Sequence, residues 1–415
     1  MSETNNNRQS IQQKLELDTL LQITQSINNN VSESDLYAML KLSLRGSFKV
    51  KKCAVFVFDE IWECKTIFGN KLAFTADELD FQILEDIKKL TFIKDLDTKE
   101  EVYQEYDVVL PIKHQDKFLA YLFLTFDKDI PQEDEQIYFI KTLANIVIVA
   151  IENKKLIRQQ VKQASKEAAN QKEMEIAKQV QSLLFPKKLP YTQKIKVKPT
   201  YFPHALIGGD YYDFIPLNDN RFIICIADVS GKGVPAALLM SNFQASLRTL
   251  TRQTQNLPQI VEELNHIIYV NAEGGHFITF FIGLYDEKNT TLQYINAGHN
   301  PAFLFDFSNN QTHLLEKGTT ILGVFSPLPF VEEGKIEQLN NFYLFNYTDG
   351  VTEVVNDNQE QLGIEKLLEV IESYQQNDIN EIHESLIQFI HQFKQNQTYP
   401  DDITMLSCRV NLINI

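Results

Sequence analysis

Four aspartate-bearing motifs could do chemistry in this chain. They are Gly208-Gly209-Asp210 running into Tyr-Tyr-Asp-Phe, Ala227-Asp228-Val229-Ser230-Gly231-Lys232-Gly233, Thr348-Asp349-Gly350 and Pro400-Asp401-Asp402-Ile403-Thr404. Asp228 follows the strand-like run Arg221 to Ala227, Asp349 follows Asn341 to Tyr347, and Asp401 precedes the last strand-like run. Asp210 follows a Gly-Gly pair that lets backbones approach closely. Carboxylates gathered in this way cannot all ionise without cations between them. Hard oxygen donors select Mg²⁺ or Mn²⁺ over zinc. Two such ions roughly 3.5 to 4 Å apart acidify a bridging water and clamp a phosphoryl group for in-line displacement. No covalent nucleophile is then needed. No cysteine has an arginine six positions on, and HExxH, P-loop and GxSxG motifs are absent.

The elements that must position these groups belong to a chain of 415 residues, long enough for two domains and a connector. With 44% hydrophobic and 23% charged residues the composition is that of a soluble globular protein. A net charge of −16 excludes a typical nucleic-acid binder, which needs clustered Lys and Arg. Cys53, Cys64, Cys225 and Cys408 have no metal or disulfide spacing and read as reduced thiols. The polar start is no signal peptide, and no apolar run approaches the roughly 20 residues that span a bilayer. A cytoplasmic protein without membrane contact is the expectation.

Residues 1–12 are polar and expected to be disordered. Helical spacing follows over Leu15 to Ile27 and Leu36 to Leu44, then strand-like runs over Cys53 to Phe58, Val108 to Ile112 and Phe118 to Phe126. A helix from about Gln132 to Lys155 closes an α+β domain, 13–152. Its paired entry helices, its Val-Leu-Pro-Ile before a hairpin and its closing helix resemble a GAF domain, an α/β sandwich that senses signals. The resemblance implies a small-molecule ligand, although no residue set names one, and a fold used only for dimerisation and relay stays open.

Residues 153–185 lack Gly and Pro and should continue the closing helix as a linker. Ala150, Ile157, Val161, Ala164 and Ala168 keep a 3/4 spacing, and Ile176, Val180 and Leu183 resume it after a break. A dimeric coiled coil with a register change is favoured over a helix lying on its own domain, since a long helix with a narrow seam is poorly stable alone. From 186–415 strands dominate, interrupted by helices from Val234 to about Thr251 and from Pro258 to about Val270. Two stacked antiparallel sheets covered by helices, an αββα sandwich, is the architecture expected.

Seven ordered motifs of this half resemble the stage II sporulation protein E branch of the metal-dependent, type 2C protein phosphatases. They are Ala177 to Leu184, Gly208 to Phe214, Ala227 to Met240, Asn296 to Pro301, Leu322-Gly323, Tyr347 to Glu353 and Asp401 to Thr404. The resemblance implies hydrolysis of phosphoserine or phosphothreonine in a protein, with two Mn²⁺ or Mg²⁺ ions. By position it implies that Asp228 bridges both ions, with the Val229 carbonyl on one. Asp349 and Asp401 hold the other, with Asp401 preferred to Asp402, and Asp210 completes the set. Ser230 stands where the eukaryotic branch often has a histidine proposed as general acid, so no residue is assigned to protonate the leaving group. The implied substrate is a phosphorylated STAS-type anti-anti-sigma factor, and the implied regulation runs from sensor through linker to the helix at Ile176 to Leu184.

His299 reads as a structural residue of a hairpin turn, Asp213 as either a support for the ligands or an ordinary strand residue, and Lys232 as a solvated side chain or an attractor of phosphate. Two other functions stay open at this point. One is a catalytically silent sensor and interaction protein with a degenerate metal site. The other is a nucleotidyl cyclase, suggested by Gly-Gly-Asp, which leaves Asp349 and Asp401 unexplained.

Overall fold

The computed structural model describes residues 2–69, 84, 87–96, 101–114, 117–127, 135–217, 220–272 and 275–412. The chain divides into two compact units, Met1–Glu167 and Ala168–Ile415. The first contains α1 (Ser2–Asn28), α2 (Glu33–Gly46), β1 (Lys52–Asp59), β2 (Ile61–Phe68), β3 (Thr91–Phe92), α3 (Glu101–Gln104), β4 (Val108–His114) and β5 (Lys117–Thr125). The strands form one antiparallel sheet in the order β2-β1-β5-β4-β3.

Both faces of that sheet are covered, because side chains alternate along a strand. Cys53, Val55 and Val57 of β1 join Leu36, Leu40, Leu44, Ile140 and Val147 in one core, while Ala54 and Phe56 join Tyr103, Tyr121 and Phe123 in another. The first twelve residues, expected to be disordered, lie in α1 from Ser2 onward. They contain no Gly or Pro, so nothing stops a helix anchored by buried Ile23 from extending back through them.

A single 48-residue helix, α4 (Glu135–Ser182), runs through the unit boundary, as the absence of Gly and Pro predicts. The expected start near Gln132 lies outside the described residues. Ile157, Val161, Ile176 and Val180 are each more than half exposed on the single chain.

The second unit contains β6 (Ile195–Phe202), β7 (Tyr211–Pro216), β8 (Arg221–Val229), α5 (Val234–Gln253), α6 (Leu257–Ala272), β9 (Ile278–Asp286), β10 (Thr291–Ala297) and β11 (Ala302–Asp306). These are followed by β12 (Gln311–Leu315), β13 (Gly318–Thr319), β14 (Gly334–Ile336), β15 (Asn341–Tyr347), α7 (Asp349–Thr352), α8 (Gly363–Tyr374), α9 (Ile379–Lys394) and β16 (Ile403–Asn411). One sheet has the order β13-β10-β9-β8-β7 with β14 on β10, and the other the order β12-β11-β15-β16-β6.

Three cores stack these layers. Ile224, Ile226 and Phe281 meet Leu344, Leu406 and Cys408 between the sheets. The opposite face of the first sheet, with Ile223, Cys225 and Ala227, packs on Met240, Phe243 and Leu264 of α5 and α6. The outer face of the second, with Phe345, Tyr347 and Met405, packs on Leu367, Ile371, Leu386 and Ile390 of α8 and α9. The result is the expected αββα order, although α8 and α9 were not singled out in the sequence.

Candidate metal centre

The two-residue period that fills the inter-sheet core turns polar at one end. Along β8, Ile224 and Ile226 are core residues and Asp228 is the next on the same face. Along β16, Cys408 and Leu406 lead back to Thr404, which is fully buried. Asp228 thus lies within β8, opposite Thr279, rather than beyond the strand's end. The sequence motifs meet here because both sheets deliver polar groups to the same edge of the apolar layer.

Asp210 is 1% exposed, and its Oδ2 accepts from the Thr348 hydroxyl at 2.9 Å and from the Thr404 hydroxyl. Burial, and then the charge of Asp228, hold its pKa well above the usual carboxylate range, against the opposing pull of the two hydroxyls. Burial and then Asp349 push Asp228 up to about 7, and a hydrogen bond with Asp210 partly offsets this. Asp349 is the first residue of α7, following Thr348. Its pKa is raised by burial and then by Asp401, and Lys232 opposes the shift. Glu353, one turn on, is raised by burial and then by Asp349.

Adjacent aspartates divide the work in the last loop. Asp402 is 7% exposed, and its two oxygens accept from the backbone N–H of His204 at 2.7 Å and of Gly209 at 2.8 Å. Asp401 has a side chain 36% exposed, with Oδ2 3.0 Å from Lys232 Nζ. Two close approaches require glycine. A Cβ on Gly208 would stand 2.2 Å from Asp402 Oδ2, and one on Gly350 would stand 1.9 Å from the Asp402 carbonyl oxygen. The Val229 carbonyl faces Gly209, where an added Cβ would be 2.8 Å away.

Gln181, near the end of α4, is buried and grips Gly208 from both sides. Its Nε2 donates to the Gly208 carbonyl at 2.7 Å, and its Oε1 accepts from the Gly208 N–H at 3.3 Å. Gln181, Thr348, Thr404 and Glu353 carry no motif of their own kind. The signal for all four is their place inside the seven ordered motifs.

The residues outside the acid cluster resolve into supports. Asp213 is fully buried in a paired fork with Arg248, at 2.8 and 3.0 Å, and also accepts from the Tyr211 hydroxyl at 2.5 Å. The Ser230 hydroxyl accepts from the Phe277 N–H at 2.8 Å. His299 is buried beside Thr279, with Nδ1 2.8 Å from its hydroxyl, and burial lowers its pKa to about 4. It lies in the crossing between β10 and β11, which belong to different sheets, rather than in a hairpin turn.

Among the described residues no three His, Cys, Asp or Glu side chains enclose an ion as they stand. The donor set nevertheless suits a hard divalent cation. It consists of oxygens alone, and burial together with a neighbouring carboxylate raises Asp210, Asp228 and Asp349, so a cation between them would offset both the lost hydration and the repulsion.

Residues 218–411 match the family model described as stage II sporulation protein E (SpoIIE). The chain is 31% identical over 242 residues to phosphoserine phosphatase RsbU of Bacillus subtilis (strain 168), covering 57% of this chain and 70% of that protein. It is 29% identical over 246 residues to Protein IcfG of Synechocystis sp., covering 52% of this chain and 38% of that protein. The solved SiaA-PP2C domain of Pseudomonas aeruginosa matches with a TM-score of 0.53 at 16% identity, over 60% of this chain and 99% of that one. This last likeness is one of fold.

Proposed function

Because the chain belongs to the stage II sporulation protein E family of serine/threonine protein phosphatases, we propose that its acid cluster holds two Mn²⁺ or Mg²⁺ ions and hydrolyses a phosphoserine or phosphothreonine. The observation that carries this reading is the gathering of Asp210, Asp228 and Asp349 at one edge of the inter-sheet core, where burial and then a neighbouring carboxylate raise each of them. Asp228 would bridge the ions, with the Val229 carbonyl on one and Asp349 and Asp401 on the other. Asp210 gives Oδ2 to the two hydroxyls and hydrogen-bonds with Asp228, which would place both carboxylates at the ions. When bound, the ions supply an acidified water and neutralise the phosphoryl oxygens.

The protein's own groups then do three things. Thr348 and Thr404 orient Asp210, Asp402 ties the Gly208-Gly209 backbone down, and Lys232 supplies positive charge beside Asp401. Asp401 rather than Asp402 is the ligand in this reading, because N–H groups of a distant segment claim both oxygens of Asp402, whereas Asp401 Oδ1 accepts only the adjoining Asp402 N–H at 2.8 Å and its Oδ2 holds the half-exposed Lys232.

The physiological substrate in this reading is a phosphorylated STAS-type anti-anti-sigma protein, as the family resemblance implies. Two relatives named phosphoserine phosphatases, RsbU and RsbP of Bacillus subtilis, support the phosphoserine choice. The first unit acts as a GAF-type sensor of a small molecule, and α4 relays its state. The Gln181 grip on Gly208 makes the end of that helix part of the site's scaffold. The exposed apolar stripe of α4 is covered in a homodimer by a second copy of the same helix. No helix among the described residues is long and apolar enough to cross a membrane. We place the protein in the cytoplasm.

The test is phosphate release from a phosphoserine peptide with and without Mn²⁺, by the full chain and by Asp349→Ala. Mn²⁺-dependent release that the variant loses supports the reading. Release that persists in EDTA or in the variant overturns it.

A further inference from the structure

The loop between β8 and α5 brings one cation to the acids. Lys232 Nζ lies 3.0 Å from Asp401 Oδ2 and donates to the Pro400 carbonyl at 2.7 Å. The lysine side chain is 49% exposed and that of Asp401 36%, so the pair sits at the mouth of the site, where an ion pair is weak and easily exchanged. Gly231 and Gly233 flank Lys232 with φ of +94° and +73°, and nothing lies within 4 Å of a Cβ built on Gly233. Both glycines hold the left-handed conformation that other residues rarely adopt, so the lysine stands on a turn that glycine keeps permissive. Helix α5 begins directly afterwards, and Gly233 gives it no side-chain cap. Pro235 has no N–H and the Ala237 N–H goes to the Gly233 carbonyl, so what the first turn offers beside the lysine is chiefly its positive dipole end.

We propose that Lys232 is a positioning residue that changes partners, holding Asp401 while the divalent cation is absent and turning to the substrate's phosphoryl oxygens once Asp401 is engaged. The inference rests on the reading of the aspartates as cation ligands. With Asp401 engaged as a ligand, its charge would no longer hold the ammonium, and Lys232 would be free to meet an anionic substrate. A compact ammonium on a flexible stem suits a tetrahedral group of variable approach, and it needs no fixed fork geometry. The same exchange keeps Asp401 from standing unpaired beside Asp349 in the metal-free protein.

The experiment uses full-length protein with Lys232→Met and Lys232→Arg. Three quantities are read: Mn²⁺ affinity by calorimetry without substrate, competitive inhibition by inorganic phosphate, and KM and kcat with a phosphoserine peptide. Lys232→Met is expected to bind Mn²⁺ about two- to fivefold more tightly, since an exposed competitor pair is lost. Its KM and its phosphate inhibition constant are expected to rise about five- to tenfold, with kcat within about threefold, as for loss of one charge-assisted contact. Lys232→Arg should restore phosphate affinity. Normal Mn²⁺ binding in both variants with unmoved phosphate inhibition overturns the inference alone, as does weaker Mn²⁺ binding in Lys232→Met, which would make the lysine a brace for Asp401. Wild-type protein that binds no Mn²⁺ overturns the metal-centre reading and this inference with it. Thermal melts of both variants confirm that the exposed substitution leaves the fold intact.

Discussion

Replacing Asp228 with Asn should stabilise the metal-free protein while abolishing its activity. Burial and the charge of Asp349 raise the Asp228 carboxyl from 3.8 to about 7. Each pKa unit is worth ~1.4 kcal/mol between protonation states, so a rise of about three units sets a ceiling of ~4 kcal/mol on the cost of an ionised Asp228 in the folded chain. Its proton is shared with Asp210, and side chains relax, which places the expected gain at about 2–4 kcal/mol.

The sign follows from linkage. The folded carboxyl binds its proton more tightly than the unfolded one, so the cost is absent below the unfolded value of 3.8, grows as pH rises towards about 7, and is complete above it. In EDTA at pH 8, Asp228→Asn should raise the melting temperature of the second unit by roughly 4–16 °C, from 2–4 °C per kcal/mol for a unit of this size. At pH 3, below the unfolded value, the two proteins should melt together. Calorimetry at both pH values reads the difference, and added Mn²⁺ should stabilise the wild type but not the variant. An Asn variant that melts at or below the wild type at pH 8 in EDTA would refute the claim that Asp228 is held against its neighbours' charge.

The adjacent aspartates should separate cleanly. Asp402→Ala strands the buried N–H of Gly209 and leaves that of His204 to solvent, and should cost about 1–3 kcal/mol of stability in urea unfolding. Asp401→Asn should stay within ~1 kcal/mol of the wild type yet lose Mn²⁺ binding and turnover. Gln181→Leu leaves both backbone groups of Gly208 unpaired, which predicts a loss of about 1–3 kcal/mol together with reduced kcat in steady-state assays. Ile157→Glu with Val161→Glu should convert a dimer to a monomer by light scattering, and a wild-type chain that is strictly monomeric at micromolar concentration would remove the coiled coil from the account.

The acids were readable in the sequence because each sits in a short motif with glycine or a strand edge, where few residue types are tolerated. Their partners were not. Asp402 does its work on backbone N–H groups nearly two hundred positions away, and no local pattern distinguishes it from Asp401. Asp228 read as lying past its strand because the apolar run stops at Ala227, although the alternation of Ile224, Ile226 and Asp228 already puts it on the inter-sheet face.

Strands with long apolar runs were found within a residue or two. By contrast β13, of two residues, and β14, of three, are too short to show a period. Helices α8 and α9 show apolar residues at helical spacing, Leu367 with Ile371 and Ile382 with Leu386 and Ile390, but the polar stretch they fall in, after the third acidic motif, masks the period. The polar start of α1 shows the limit of composition as a guide: polarity removes packing but does not remove helix propensity.

The most direct test of the two-cation centre is anomalous diffraction from crystals of the protein grown with Mn²⁺. The account predicts two anomalous peaks at the edge of the inter-sheet core, with carboxylate oxygens of Asp228 shared between them, Asp349 and Asp401 on one, and the Val229 carbonyl on the other. A single peak away from Asp228, or no peak at a Mn²⁺ concentration that supports turnover, would contradict it.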